Sequence, residues 1–384
     1  MTDTNIMVTR ASLPSLEEYV REIRGLWDTH LITNMGEKHR HLARAVASYL
    51  GARYVELFVN GHSALECALQ ACGLTGEVIT TPFTFASTTH AVVRTGLTPV
   101  FVDIKADDCT IDPAAVEQAI TPRTTAILPV HVYGNPCDVE AIGDIAHRHG
   151  LTVIYDAAHA FGVTKDGVPI GTFGDASMFS FHATKVFNTI EGGAVCFSDD
   201  GLRDKLQRLK NFGICGSEDA ELVGGNAKMN EFCAAMGLCN LRHVDDEIAA
   251  RARVEERYRI HLVGVKGLTL IDHQLGVRCN HAYFPVFFED DFGATRDEVL
   301  DALAAEGLYG RRYFYPLVSD FTCYRGRFNS ADTPIAKDRA SRVLTLPMYG
   351  DLPLETVDRI CRCVLSLTAK NDGNGCTLSG KVER

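Results

Sequence analysis

The chain has 384 residues, 46% of them hydrophobic and 23% charged, with a net charge of −11. This is an ordinary globular composition, long enough for a large domain and a smaller one, and no apolar run approaches the ~20 residues of a membrane span. The acidic balance argues against nucleic acid as a partner, so any phosphate site must be built locally from backbone N–H groups and a few basic side chains.

From about residue 46 to 196, helical and strand-like stretches alternate. A helix over 42–50 leads to a strand over 54–59, and the turn Asn60-Gly61-His62-Ser63 opens a helix over 64–72. A strand over 78–81, a helix over 86–95 and a strand over 99–102 follow. A helix then starts at Pro113 with Asp112 as its N-cap. Next come a strand over 125–130, a helix over 139–149 and a strand over 151–155, then a strand over 194–197 and a helix over 201–209. A single long helix over 231–250 is expected to join two domains. Beyond it lie a strand over 281–288 and helices over 295–306 and 354–367.

Apolar strands separated by helices predict an α/β architecture: a large domain with a mostly parallel sheet between helices, and a smaller α+β C-terminal domain. The expected divisions are an N-terminal segment 1–35, a large domain 36–245, a small domain 246–370 and a polar, glycine-rich flexible tail 371–384. Ligands of such sheets gather at the carboxyl ends of the strands. Asn60, Asp103, His131 and Asp156 all follow strands and are expected to converge there.

Ser180-Phe181-His182-Ala183-Thr184-Lys185 comes soon before Glu191-Gly192-Gly193, a strand end followed by a tight loop. A lysine there can face a cavity, where partial desolvation lowers its pKa and makes it a nucleophile toward an aldehyde. Asp156 suits the pyridine nitrogen of such a cofactor, because a nearby carboxylate favours the protonated ring. Gly61-His62-Ser63 before a helix suits phosphate. Taken singly, each has a plain structural reading: a solvated charge, a helix cap, an ordinary turn.

Together with Thr81-Pro82-Phe83-Thr84-Phe85, Pro99-Val100-Phe101-Val102-Asp103, Pro129-Val130-His131-Val132-Tyr133-Gly134, Asp156-Ala157-Ala158-His159, Asn226 and Leu346-Pro347, these stretches stand in the order of a known family. The chain resembles the DegT-type (DegT/DnrJ/StrS) sugar-nucleotide aminotransferases of fold type I, clearly over residues 36–231 and more weakly to 347. The resemblance implies pyridoxal 5′-phosphate as cofactor, passing through pyridoxamine 5′-phosphate during turnover. It implies Lys185 as the residue that forms a Schiff base with the cofactor and then shuttles a proton. Asp156 is implied at the pyridine nitrogen, Phe85 on the ring face and His159 beside the phenolic oxygen. The backbone at His62 and Ser63, the Ser180 hydroxyl and Asn226 from a partner subunit are implied at the phosphate, which makes the protein a homodimer with shared active sites.

Some positions depart from the commonest pattern. His62 and His159 stand where Thr or Ser, and Gln, are frequent, and Gly225-Asn226-Ala227-Lys228 replaces Tyr-Asn-Tyr-Arg. The run Phe-Ser-Phe-His-Ala-Thr-Lys resembles the branch that aminates dTDP-4-keto-6-deoxy-D-glucose at C4, with L-glutamate as donor, to give dTDP-4-amino-4,6-dideoxy-D-glucose. Alternatives are a 3-keto-sugar or 4-keto-pentose nucleotide, a sugar dehydratase of the same family (against which Lys185 counts), and a PLP-binding regulator without turnover. His182, Arg312, Tyr313 and Tyr315 are the expected substrate contacts, the last three within Arg311-Arg312-Tyr313-Phe314-Tyr315-Pro316.

Thirteen scattered cysteines without a CxxC read as reduced thiols, and His30, His39 and His41 as a solvated helix, so no metal site is expected. The start, MTDTNIMVTRASLPSLEEYV, lacks the basic and apolar stretches of a signal peptide, which predicts a cytoplasmic protein.

Overall fold

The computed structural model describes residues 5–368; the tail expected over 371–384 lies outside the described residues. Seven strands form the main sheet: β1 (Tyr54–Phe58), β2 (Glu77–Thr80), β3 (Thr98–Phe101), β4 (Thr124–Ile127), β5 (Thr152–Asp156), β6 (Ala176–Ser180) and β7 (Gly193–Phe197). Their order is β1-β7-β6-β5-β4-β2-β3, and only β7 runs antiparallel to its neighbours.

Side chains on these strands alternate between two apolar layers, as the two-residue period of a strand requires. Leu57, Ile79, Ile127, Val153, Tyr155, Phe179 and Cys196 face one core, with Leu42, Val46, Ile142 and Ile145 from the covering helices. Phe58, Val78, Ala126, Ile154, Met178 and Val195 face the other, against Leu65, Leu69, Val92 and Leu206. Burial on both faces explains why the strands read as apolar runs rather than as alternating ones.

The helix expected over 231–250 is two helices, Glu231–Leu241 and Val244–Leu262. Tight bonds from Arg242 N to Cys239 O and from His243 N to Asn240 O close the first. Asp245, Asp246 and Glu247 then open the second, where their charges suit a helix N-terminus. Arg242 and His243 turn instead to Glu18, at 2.9 and 2.8 Å, on the N-terminal helix Leu16–Ile23.

The second helix runs into a three-stranded antiparallel sheet, Leu268–Leu270, Phe284–Phe288 and Val343–Leu346, whose core it shares with helices Arg296–Ala305 and Leu354–Leu365. A short strand, Thr164–Lys165, pairs with Val168–Pro169 on one side and Val277–Arg278 on the other, a small sheet that the sequence pattern did not signal. No described helix is long and apolar enough to cross a membrane.

Candidate active site

A cavity of about 480 Å³ opens at the carboxyl ends of β1, β5 and β6. Of the four polar residues expected to converge there, Asn60 and Asp156 line it. Asp103 and His131 do not. Asp103 caps the helix Pro334–Arg342 through the N–H groups of Ile335 and Ala336 at 2.9 and 2.8 Å. His131 is fully buried, stacked 4.6 Å from the Tyr155 ring, and accepts a hydrogen bond from Cys137 N.

Lys185 sits in a loop closed at its base by Phe181 N donating to Gly192 O and Thr189 N to Phe181 O. Phe181, Val186 and Phe187 are buried around it, which fixes the loop and leaves the amine facing the cavity. Its Nζ lies 3.1 Å from the Tyr283 hydroxyl.

Asp156 ends β5 and is 4% exposed. It accepts the Thr88 hydroxyl at 2.7 Å and the Ala158 amide at 3.1 Å, and Thr88 is itself bonded to Thr84 at 2.8 Å. Burial raises its pKa above the ordinary carboxylate value, against the lowering effect of Thr88, Ala158 and Lys185. The protein thus surrounds this carboxylate without fully satisfying its charge.

His159 is buried, and its imidazole is pushed well below the usual pKa, first by burial and then by Lys185. The ring is therefore neutral at physiological pH. Tyr133 N donates to its Nδ1 at 3.0 Å, so the proton resides on Nε2, an available donor. Phe85, at the N-cap of helix Ala86–Arg94, lines the cavity with half its surface exposed.

The phosphate-type turn differs in one respect from the sequence reading. Asn60 Oδ1 accepts the Ser63 amide at 2.8 Å, capping helix Gly61–Ala71, and Ser63 does not line the cavity. The amides of Gly61 and His62, the first two of the helix, have no intrahelical acceptor and remain for an anion. Gly61 allows the turn to lie directly on Ser180, because a Cβ there would come 2.9 Å from Ser180 Cβ. The His62 ring is engaged by Ser87 at 2.9 Å and Glu66 at 3.4 Å.

His182, Tyr313 and Ser180 line the cavity as expected, joined by Glu191, His90, Arg311 and Phe314. His182 bonds Thr184 at 2.8 Å. Arg312 does not line the cavity; it donates to Asp297 at 2.8 Å. Tyr315 also lies outside the lining, half-exposed beneath the Arg296 guanidinium at 4.7 Å. Arg311 lies over the Tyr313 ring at 4.7 Å and has no ion-pair partner among the described residues. Asn226 is exposed and bridges to Asn211, outside its own chain's cavity.

A lysine, a buried carboxylate, a neutral histidine donor, an exposed aromatic face and helix N-terminal amides without intrahelical acceptors meet in one cavity, at the strand ends of a mostly parallel sheet. That is the layout of a pyridoxal-phosphate aminotransferase. The chain belongs to the DegT/DnrJ/EryC1/StrS aminotransferase family, whose pattern matches residues 15–365, more of the chain than its motifs alone suggest. It is 44% identical over 355 residues to the dTDP-4-amino-4,6-dideoxy-D-glucose transaminase of Shigella dysenteriae, covering 92% of this chain and 97% of that one. Its fold superposes with a TM-score of 0.91 on DesI, solved in the presence of its TDP-sugar product, at 36% identity and covering 96% of this chain and 94% of the other. A sugar aminotransferase structure from Streptococcus pneumoniae in its PLP form, Spr1654, gives a TM-score of 0.87 at 26% identity, covering 95% and 98%.

Proposed function

We propose that this protein uses pyridoxal 5′-phosphate to transfer the amino group of L-glutamate to C4 of dTDP-4-keto-6-deoxy-D-glucose, forming dTDP-4-amino-4,6-dideoxy-D-glucose. The observation that carries this reading is the Lys185–Asp156–His159 arrangement within one cavity, in a chain so similar along its length to a transaminase of that name. When bound, the cofactor supplies a carbonyl that an amine can join and a ring that accepts electron density.

The residues fit that group. Asp156 would keep the pyridine nitrogen protonated, a charge that would offset the buried carboxylate. His159 Nε2–H would serve the phenolic oxygen, and Phe85 would cover the ring face. The Gly61 and His62 amides and the Ser180 hydroxyl serve the phosphate. Lys185, positioned by Tyr283, would move a proton from the donor carbon to the cofactor in the first half of the cycle, and one from the cofactor to the sugar carbon in the second. Arg311, without an ionic partner among the described residues, is the group we assign to the substrate diphosphate, a role its planar fork suits. The exposed Asn226 is assigned to a second subunit's phosphate site, which makes a homodimer the working unit.

The deciding experiment incubates purified protein with L-glutamate and a panel of 4-keto and 3-keto dTDP- and UDP-sugars, following products by mass spectrometry. Amination of the dTDP-4-keto-6-deoxyglucose is expected. Preference for a 3-keto sugar, or loss of water without gain of an amine, would sink the assignment.

A further inference from the structure

A second cluster of reactive groups lies outside the Lys185 cavity, between the long helix and the loop that follows strand Leu268–Leu270. Cys279 Sγ is 3.6 Å from His273 Nδ1, and His273 Nε2 is 3.2 Å from Glu255 Oε1. A thiol, an imidazole and a carboxylate therefore stand in line, with the imidazole bridging the other two through its two nitrogens. The carboxylate is held from behind: Arg259 Nε reaches Oε1 at 2.7 Å and His281 Nδ1 reaches Oε2 at 2.7 Å. The Glu255 side chain is 8% exposed while that of His273 is 49% exposed, so the relay is fixed at its inner end and open at its outer end. Cys279 is itself partly exposed.

We propose that Cys279 is a nucleophilic thiol, activated by His273 with Glu255 orienting the imidazole, that takes an oxygen atom from a hydroperoxide to become a reversible sulfenic acid. This stands independently of the transamination assigned above. The alternative for a cysteine is an inert, buried, protonated thiol, and most of the others fit it: Cys67, Cys72 and Cys361, for example, are pushed up to about 12, first by burial. Arg242 reaches Cys239 Sγ at 3.7 Å, but Cys279 alone among the described cysteines has at its sulfur an imidazole that bridges on to a carboxylate.

One cation stands against the sulfur of the relay. His273 is pushed up to about 10, chiefly by Cys279 and then by Glu255, so it is cationic at neutral pH. An imidazolium against sulfur stabilises the thiolate, the reactive form. Asp272 lines the same small cavity, and Arg278 beside Cys279 is paired with Asp245 at 2.8 Å. Arg259 and His281 remain tied to Glu255. The imidazolium is thus the positive group in contact with the sulfur.

In the step itself the thiolate attacks one peroxide oxygen and the O–O bond breaks. Sulfur is oxidised by two electrons and the peroxide is reduced. The departing oxygen takes its proton from His273, leaving sulfenic acid, neutral imidazole and water or an alcohol.

The test compares Cys279 with Cys323, which is exposed and has no polar partner among the described residues. At pH 6.5 an ordinary thiol is only about 1% thiolate. Cys279 should therefore react with sub-stoichiometric iodoacetamide roughly ten- to a hundred-fold faster than Cys323, allowing for the lower nucleophilicity of a stabilised thiolate. His273→Gln, a change at an exposed side chain, should remove that advantage and return the pH–rate profile to that of a free thiol. Hydrogen peroxide with a 1,3-dione trap should mark Cys279 first in peptide mass spectra, and less so in His273→Gln. Labelling of Cys279 no faster than Cys323, or at the same rate with and without His273, overturns the proposal.

Discussion

Asp156 and Glu255 are both buried carboxylates, yet the protein treats them in opposite ways. Glu255 is ringed by His273, His281 and Arg259, whose hydrogen bonds and charge outweigh the cost of burial and hold its carboxyl well below the usual range. Asp156 receives one hydroxyl, one amide and the charge of a more distant lysine, which do not offset burial, so its carboxyl is raised. The first site is complete within the protein. The second lacks a cation, and in that it resembles the rest of its cavity, where, among the described residues, Phe85 offers an uncovered ring, Arg311 a guanidinium without an ion pair, and Gly61 and His62 amides without acceptors. Incomplete satisfaction concentrated in one cavity is what distinguishes a place for a ligand from a well-packed polar core.

The sharpest test of the contrast is at Lys185. Lys185→Ala should lower turnover by about 10⁴-fold or more, and borohydride treatment of the native protein should fix the cofactor to Lys185. Recovery of the label on another lysine would remove the centre of the cavity's assignment.

Next come matched isosteric changes at the two carboxylates. Asp156→Asn should slow the glutamate half-reaction by about 10²–10⁴-fold, the range of electrostatic and acid–base contributions. The same change should raise the stability of the cofactor-free protein at neutral pH, since the amide oxygen keeps the Ala158 bond and its NH2 donates to Thr88, whose hydroxyl then turns to Thr84, without a buried charge. Glu255→Gln should do the reverse and cost roughly 2–3 kcal/mol, less than for a fully enclosed network because His273 is half-exposed. Thermal unfolding at pH 7 of the two variants reads the opposed signs; shifts in the same direction would refute the comparison.

The pH dependence follows from the same pair. A group whose folded pKa is raised stabilises the folded chain only while protonated. The cofactor-free protein should therefore lose the Asp156 contribution as pH rises from its unfolded value near 3.9 through the higher folded value. Glu255 gives stability that is fully present above about pH 4.3 and is lost as pH falls through its lowered folded value. Denaturation curves of wild type and Asp156→Asn across pH 4–8 should converge at the acid end.

Smaller effects mark the cavity's edge. Arg311→Ala should raise the KM for the nucleotide sugar by about 10- to 100-fold and leave the glutamate half-reaction nearly unchanged; equal losses in both halves would move Arg311 to the amino donor. Asn226→Ala should weaken cofactor binding by roughly tenfold at most, the worth of one neutral hydrogen bond. A fully active monomer in sedimentation at assay concentration would rule out the shared site altogether.

Much of this was legible beforehand. The strands were visible because two-sided burial makes them continuous apolar runs, and Lys185, Asp156 and His159 because they follow strand ends in a familiar order. What was not legible depended on direction and on partners. Arg311 pairs with Thr345 as an extended bridge, so neighbouring side chains point to opposite sides. Arg311 and Tyr313 reach the cavity while Arg312 turns to Asp297, a choice that composition cannot reveal. Asp103 and His131 stood at strand ends like Asp156, but one was taken up by a helix N-terminus and the other by the core. The break before Val244 did leave a trace, the acidic triplet Asp245-Asp246-Glu247, which reads as a helix start once the tight bonds of Arg242 and His243 are known. The Cys279 relay left none, since Glu255, His273 and Cys279 meet only through the fold.

The single antiparallel strand has a consequence for how the chain comes together in time. Edge strand β1 is held to the sheet by β7, which lies more than a hundred residues later in the sequence, Tyr54 opposite Phe197 and Phe58 opposite Gly193. At that junction the backbone of Asn60 and Gly61 presses so closely on Gly193 that a Cβ there would lie 2.6 Å from it. The turn at Asn60 and Gly61 therefore has no wall to rest on until β7 has been made and inserted, and Lys185 has no closed loop before then. Closure over such a long separation is entropically costly and late. During synthesis, therefore, the turn at Asn60 and Gly61 and the Lys185 loop are expected to be completed only after the seventh strand arrives.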